Sequence, residues 1–224
     1  MSRRTRSVRA DSLGVGLATG TYGISFGALG TTSGLDVAQT CALSLLAFTG
    51  ASQFAFVGVV AAGGAPLTGA LTAVLLGSRN LFYGVSLAAL LRLRGLARLA
   101  GAHLVIDEST AMAVAQEDER DGRTGFWWTG LSVFLLWNLA TLVGAVVGSA
   151  IGDPRTYGLD AAVAAAFLGL LWPRLSTTAG RLCALVGASV ALVLVSWTPA
   201  GVPIIAGGAV AVLVGLLWPV REGS

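Results

Sequence analysis

Arg79 is a permanently charged side chain in the middle of a segment, Pro66 to Leu91, that carries no other charge. At about 1.5 Å per helical residue that segment is long enough to cross a bilayer, and Arg79 falls about 20 Å from its start, near mid-depth. A guanidinium there costs roughly 2.5–3.5 kcal/mol on insertion scales, so it is expected to face a counter-charge or a wet cavity and marks a candidate site. Thr72, Arg79, Tyr83 and Ser86 follow one another at spacings of seven, four and three. On a continuous helix they share a face, while Leu71, Val74, Leu75, Leu81 and Val85 lie largely on others. The spacing predicts a polar stripe turned towards the protein interior, the arrangement expected of a route through the membrane.

Other groups capable of chemistry are few. Thr49-Gly50-Ala51-Ser52-Gln53 interrupts an apolar region, Asp107-Glu108-Ser109 sits in a semi-apolar stretch, and Asp160 lies near the start of a later apolar run. His103 is the single histidine and cannot build a metal site alone; Cys41 and Cys183 read as small buried hydrophobes. The chain has no paired His/Glu metal motif, no Gly-x-Ser-x-Gly elbow and no phosphate-cradling loop beside a base, so an enzyme is not expected.

These residues must be positioned by a membrane protein. Of 224 residues, 55% are hydrophobic and only 11% charged, with a mean hydropathy of +0.80; a soluble domain carries about 25% charge. All fourteen basic residues are arginine, and the net charge of +3 comes mainly from the N-terminal tail and one loop. That distribution suits a cytoplasmic flank and argues against a nucleic-acid partner. Ser2-Arg3-Arg4-Thr5-Arg6 is similar to the basic start of a signal peptide, but the run behind it is rich in glycine and further spans follow. The expected organisation is a basic cytoplasmic tail (1–11), one transmembrane helical domain (12–220) containing a cytoplasmic loop (92–125), and a short tail (221–224).

The fold class expected is an all-α polytopic membrane protein with about six to seven transmembrane helices. The first span, Ser12 to Gly30, places Gly16, Gly20, Gly23, Gly27 and Gly30, with Gly34 beyond, on one helical stripe. Such a stripe lets a neighbouring helix approach closely, and Thr19 and Ser25 add polar groups nearby. The second region, Val37 to Ala62, is either a tilted helix or two half-length limbs broken at Thr49–Gln53, the second being a broken or re-entrant arrangement. The Arg79 span is third. Within the charged stretch 92–123, the segment His103 to Ala115 is expected to lie at the interface or to dock into the bundle. Later spans are Phe126–Ile151, Gly158–Trp172, Arg181–Trp197 and Val202–Pro219. Phe126, Trp127 and Trp128 read as an interfacial belt, Gly144, Gly148 and Gly152 as a packing face, and Asn138 as a donor across the bundle. If Val37–Ala62 returns to the side it entered from, every arginine cluster falls on the N-terminal side and only Arg155 opposite. The positive-inside rule then favours the re-entrant arrangement with a cytoplasmic N-terminus.

The blocks Phe48-Thr49-Gly50-Ala51-Ser52-Gln53-Phe54, Gly64-Ala65-Pro66, Ser78-Arg79-Asn80-Leu81-Phe82-Tyr83-Gly84, Asp107-Glu108-Ser109 and Gly158-Leu159-Asp160-Ala161-Ala162 occur in this order. In them the chain resembles the AzlC family, the large subunit of bacterial branched-chain amino-acid exporters, from about Leu13 to Pro219. The resemblance implies a cytoplasmic-membrane exporter of branched-chain or related apolar amino acids that uses the proton gradient, works with a small AzlD-type membrane subunit and needs no cofactor. On that reading Arg79 binds the substrate carboxylate, aided by backbone N–H groups freed at Gly50–Gln53, with Ser52, Gln53, Asn80 and Tyr83 completing the polar end. Asp160 is the first candidate for proton coupling or for the counter-ion of Arg79, and Asp107 and Glu108 are the second candidates. A scaffold subunit that transports nothing, or an intramembrane enzyme, are the alternatives.

Overall fold

The computed structural model describes residues 3–150, 168, 169 and 171–217. Asp160, Gly152, Arg155, Arg221 and most of the span expected at Gly158–Trp172 lie outside the described residues. Within them the chain is all-helical: α1 (Arg3–Gly20), α2 (Tyr22–Thr32), α3 (Val37–Leu46), α4 (Ala51–Ala61), α5 (Pro66–Gly77), α6 (Arg79–Leu91), α7 (Gly95–His103), α8 (Asp107–Val114), α9 (Glu119–Ala150), α10 (Thr178–Leu194) and α11 (Val202–Leu217). Among the described residues, two helical stretches are long and apolar enough to cross a membrane: Pro66–Leu91, which joins α5 and α6, and Glu119–Ala150.

The 32-residue α9 is the axis against which the rest is ordered. The α1–α2 pair runs parallel to it, and the glycine stripe forms the seam. A Cβ at Gly23 would strike the Trp137 carbonyl, one at Gly27 the Thr141 carbonyl, and one at Gly144 the Ile24 carbonyl. Backbone therefore lies directly on backbone. In lipid, where apolar side chains gain little by leaving their surroundings, this close dispersion contact is what holds helices together. Gly30 instead faces Thr40 of α3, and Gly34, at φ +99°, belongs to the turn after α2.

The region Val37–Ala62 is a hairpin. Asp36 caps α3, its carboxylate accepting the Gln39 backbone N–H at 2.7 Å while its own N–H donates to the Gln39 side-chain oxygen Oε1 at 3.0 Å. From Gly30 the helix descends along α9 to Ser44, whose hydroxyl donates to Thr141 at 3.3 Å. The chain reverses through Gly50, at φ +64°, a conformation that side-chain-bearing residues avoid. α4 then returns towards the end it came from, with α5 antiparallel upon it: Phe56 lies at Gly69 and Ser52 at Gly77. The break is realised, and its limbs turn back.

A second hairpin enters from the Glu119 end of α9. α7 passes Gly101 beside Leu93 and Trp127, the buried turn Leu104–Ile106 reverses the chain at Gly130, and α8 leaves with Met112 at Gly125 and Ala113 at Gly122. So 92–125 is no simple loop: the turn Leu104–Ile106 and one side of α8 pack into the bundle, residues 95–100 of α7 stay exposed, and the last residues already belong to α9. The tips of the hairpins meet at aromatic rings, His103 lying 6.1 Å from Phe48 and 5.5 Å from Phe134. Beside them Phe26, Phe54 and Trp137 form a mutually packed cluster with centroids 5.5–6.2 Å apart.

α6 leads back to the Glu119 end, where Leu90 accepts from the Arg123 guanidinium at 2.8 Å and Arg92 bonds Glu119 at 3.2 Å. α11 runs alongside α5, with Gly201 at Thr68 and Gly208 at Leu75, and α10 is antiparallel to it through Gly187 and Gly207. Two expectations change here. Phe126 is fully buried in the core rather than part of a belt, because α9 begins seven residues earlier and turns that side inward; only Trp128 of the three is exposed. Asn138 donates to Phe134 within its own helix at 2.8 Å, not across the bundle.

Candidate functional site

Arg79 opens α6 immediately after a tightened turn at Ser78, whose hydroxyl and N–H both donate to Leu75, at 2.7 and 3.4 Å. That turn shifts the phase of the polar stripe. Thr72 is buried, Arg79 and Tyr83 are half-buried, but Ser86 is exposed and bonds only Phe82 of its own helix. The stripe is therefore real for three of its four members.

The partner of Arg79 is Asp107, with Nη2 2.7 Å from Oδ2. Asp107 is the first residue of α8, where unsatisfied N–H groups and the helix dipole favour a carboxylate. Neither side chain is sealed: 27% and 36% of their surfaces remain accessible. Glu108 follows on the same turn, faces the Thr19 hydroxyl of α1 and lies within electrostatic reach of both Arg79 and Asp107. The carboxylate pair of the second hairpin thus enters the bundle and reaches Arg79.

Across from it stands the start of α4. Ser52 lies against the end of α5, its oxygen 3.0 Å from where a Cβ at Gly77 would sit. Gln53 is fully buried, and its amide donates to the carbonyls of Leu43 and Ser44 at 3.3 Å each. That bond closes the first hairpin, so half of the Gln53 amide serves the fold. Gly50 supplies the reversal, and Tyr83 packs against the core. The N-terminus of α8 therefore meets the Arg79 guanidinium, and that of α4 lies against Gly77, two residues before Arg79 in the chain. Several buried polar atoms here have no hydrogen-bond partner: Arg79 Nε, Asp107 Oδ1, Asn80 Oδ1, Ser52 Oγ and Gln53 Oε1. In a folded interior such atoms are uncommon and call for an explanation.

Sequence reasoning missed the device that closes the second hairpin. Ser109 is completely buried, accepts the Ile106 N–H at 3.1 Å and donates to the Leu104 carbonyl at 2.6 Å. The signal was present: a hydroxyl at the third position of a helix opened by two acids is a capping pattern. No group of three His, Cys, Asp or Glu side chains able to hold a metal occurs among the described residues. Away from Arg79, at the Glu119 end, an open depression of about 710 Å³ is lined by Arg9, Glu119, Arg123, Trp127 and Trp128 among others, with the Arg9 guanidinium 4.9 Å above the Trp128 ring.

A family model described as AzlC protein matches residues 14–151. The match takes in α2 to α9 whole and the last seven residues of α1, and so every described residue of the candidate site; it stops before α10 and α11. Neither among curated proteins nor among solved structures does the comparison find a match.

Proposed function

Because the chain belongs to the AzlC family, we propose that it exports branched-chain or related apolar amino acids across the cytoplasmic membrane, coupled to protons and paired with a small AzlD-type subunit. The observation that carries this reading is the guanidinium of Arg79, half-buried beside the N-terminus of α8 and ion-paired with Asp107. An arginine fork suits a carboxylate in shape and charge, and half-helix N-termini add positive potential for an anionic group. An aliphatic side chain would meet apolar walls, and at about 0.8 kcal/mol per CH₂ related amino acids are poorly separated.

The chain path supports this reading. α1–α2, α5–α6, α9, α10 and α11 are read as crossings, whereas the two hairpins enter and return. The described arginines other than Arg79 belong to segments at the Glu119 end, and the connections at the opposite end, 33–36, 62–65 and 195–201, contain none. The positive-inside rule favours a cytoplasmic location for the arginine-bearing end and the N-terminus. Asp107 and Glu108, beside Arg79, are the described candidates to carry the coupled proton; Asp160 keeps that candidacy on sequence grounds alone.

The test is efflux of radiolabelled leucine from proteoliposomes under an imposed proton gradient, with and without the small subunit. Gradient-dependent efflux that requires Arg79 supports the proposal. Intact, correctly inserted protein that moves no leucine under either condition would leave the chain a scaffold.

A further inference from the structure

The ion pair between Arg79 and Asp107 engages only part of each group. A guanidinium and a carboxylate commonly pair through two parallel hydrogen bonds. Here Nη2 meets Oδ2 at 2.7 Å, while Arg79 Nε and Asp107 Oδ1 are both buried without a partner. One donor and one acceptor are thus left over on adjacent groups, although pairing them with each other would have been the simplest way to satisfy both. Asn80 follows Arg79 in the chain, and Ser52 lies against Gly77 two residues before it; the unpartnered atoms on these residues and on Gln53 are unevenly divided, Asn80 Oδ1 and Gln53 Oε1 being acceptors only and Ser52 Oγ able to do either. A bare carboxylate would answer Arg79 Nε and leave the acceptors stranded. A bare amine would do the reverse.

We infer that Arg79 and Asp107 together form a receptor for the zwitterionic head of a free α-amino acid, Arg79 Nε donating to the ligand carboxylate and Asp107 Oδ1 accepting from its ammonium. This rests on the exporter reading and adds to it the residue that reads the amine. Asp107 is then a specificity-determining residue and not merely a counter-ion. An ammonium brings three N–H donors, the feature in which the site is deficient. The ligand is neutral overall and so leaves the local charge balance of Arg79, Asp107 and Glu108 unchanged, whereas an acid or an amine alone would add a net charge at a half-buried place.

The experiment is counterflow of radiolabelled leucine into proteoliposomes holding the purified protein with its small subunit. The competitors are leucine, 4-methylpentanoate (the carboxylate without the amine) and 3-methylbutylamine (the amine without the carboxylate). In the wild type, each half-molecule should compete about 10- to 100-fold more weakly than leucine, the loss expected when one charged hydrogen bond is missing. Asp107→Asn should weaken leucine by a similar factor and leave 4-methylpentanoate unchanged, so that discrimination between them collapses; Asp107→Glu should restore part of it. Equal competition by 4-methylpentanoate and leucine in the wild type, a comparison that needs no variant to fold, would overturn the inference. So would an Asp107→Asn protein that transports leucine with discrimination unaltered; either result would leave the exporter reading standing. Absence of any leucine counterflow by the wild type would overturn the exporter reading and this inference together.

Discussion

Whether Arg79 works on a ligand or only braces the bundle can be decided by removing its charge together with that of Asp107. Arg79→Gln leaves Asp107 half-buried without its cation, Asp107→Asn leaves the cation alone, and the double variant removes both charges while keeping the volumes close. The 2.7 Å contact is short enough for a charge-assisted hydrogen bond, worth about 1.5–3 kcal/mol when screened from water. With 27% and 36% of the side chains accessible, solvent takes back part of that, and exposed pairs contribute only about 0.2–1 kcal/mol. A coupling of about 1–2 kcal/mol is expected. In a chain of this length that corresponds to roughly 2–8 °C in melting temperature. Thermal unfolding of the detergent-solubilised proteins should show each single variant destabilised and the double variant less so than their sum. Export read in proteoliposomes should separate from stability: the double variant should recover its fold and remain inactive. If the double variant exports leucine at the wild-type rate, the pair is a structural brace and the argument for a binding site at Arg79 fails.

Three further outcomes follow from the packing. Gly27→Ala drives a methyl into the Thr141 carbonyl and should cost about 1–3 kcal/mol by overpacking the seam, whereas Gly84→Ala, which meets open space, should be close to neutral; parallel melting curves of the two compare them directly. Ser109→Ala strands the buried Leu104 carbonyl and Ile106 N–H. It should cost about 1–3 kcal/mol, with faster hydrogen exchange confined to residues near 104–110. In a protein with Cys41 and Cys183 replaced by alanine, an impermeant thiol reagent added to intact cells should label Ser33→Cys and Ala62→Cys alike, and Arg94→Cys only after permeabilisation. Labelling of Ser33→Cys and Ala62→Cys from opposite sides would contradict the hairpin.

Much of this arrangement could be read from residue spacing, because lipid imposes simple constraints. The glycines of α1–α2 announced close packing, since small residues at helical intervals have few other uses there, and Gly16 to Gly27 do lie on α9. The interruption at Thr49–Gln53 announced a break, and arginine placement chose between its two geometries. Tertiary partners were harder to see. Asp107 meets Arg79 across 27 intervening positions only because α7 and α8 fold inward, and their mixed charge reads as a loop when each residue is taken singly. Gln53 was assigned to ligand binding alone, yet its amide nitrogen ties α4 to the end of α3; a side chain that stabilises a broken helix and one that greets a solute are chemically the same until coordinates place them. Ser86 failed the stripe because periodicity assumes an unbroken helix, and the turn at Ser78 breaks that assumption.

The opposed hairpins also fix where an electric field falls. Their tips, Phe48 and His103, meet beside Phe134, halfway along α9, so if water follows each hairpin inward across a bilayer, the insulating thickness shrinks to a few rings and the transmembrane voltage drops across them. A unit charge carried through that layer would gain or lose about 2.3 kcal/mol per 100 mV. A neutral zwitterion would pass without sensing it. Any dependence of turnover on membrane potential would therefore report on an accompanying ion and not on the amino acid, and its steepness would count the charges moved per cycle.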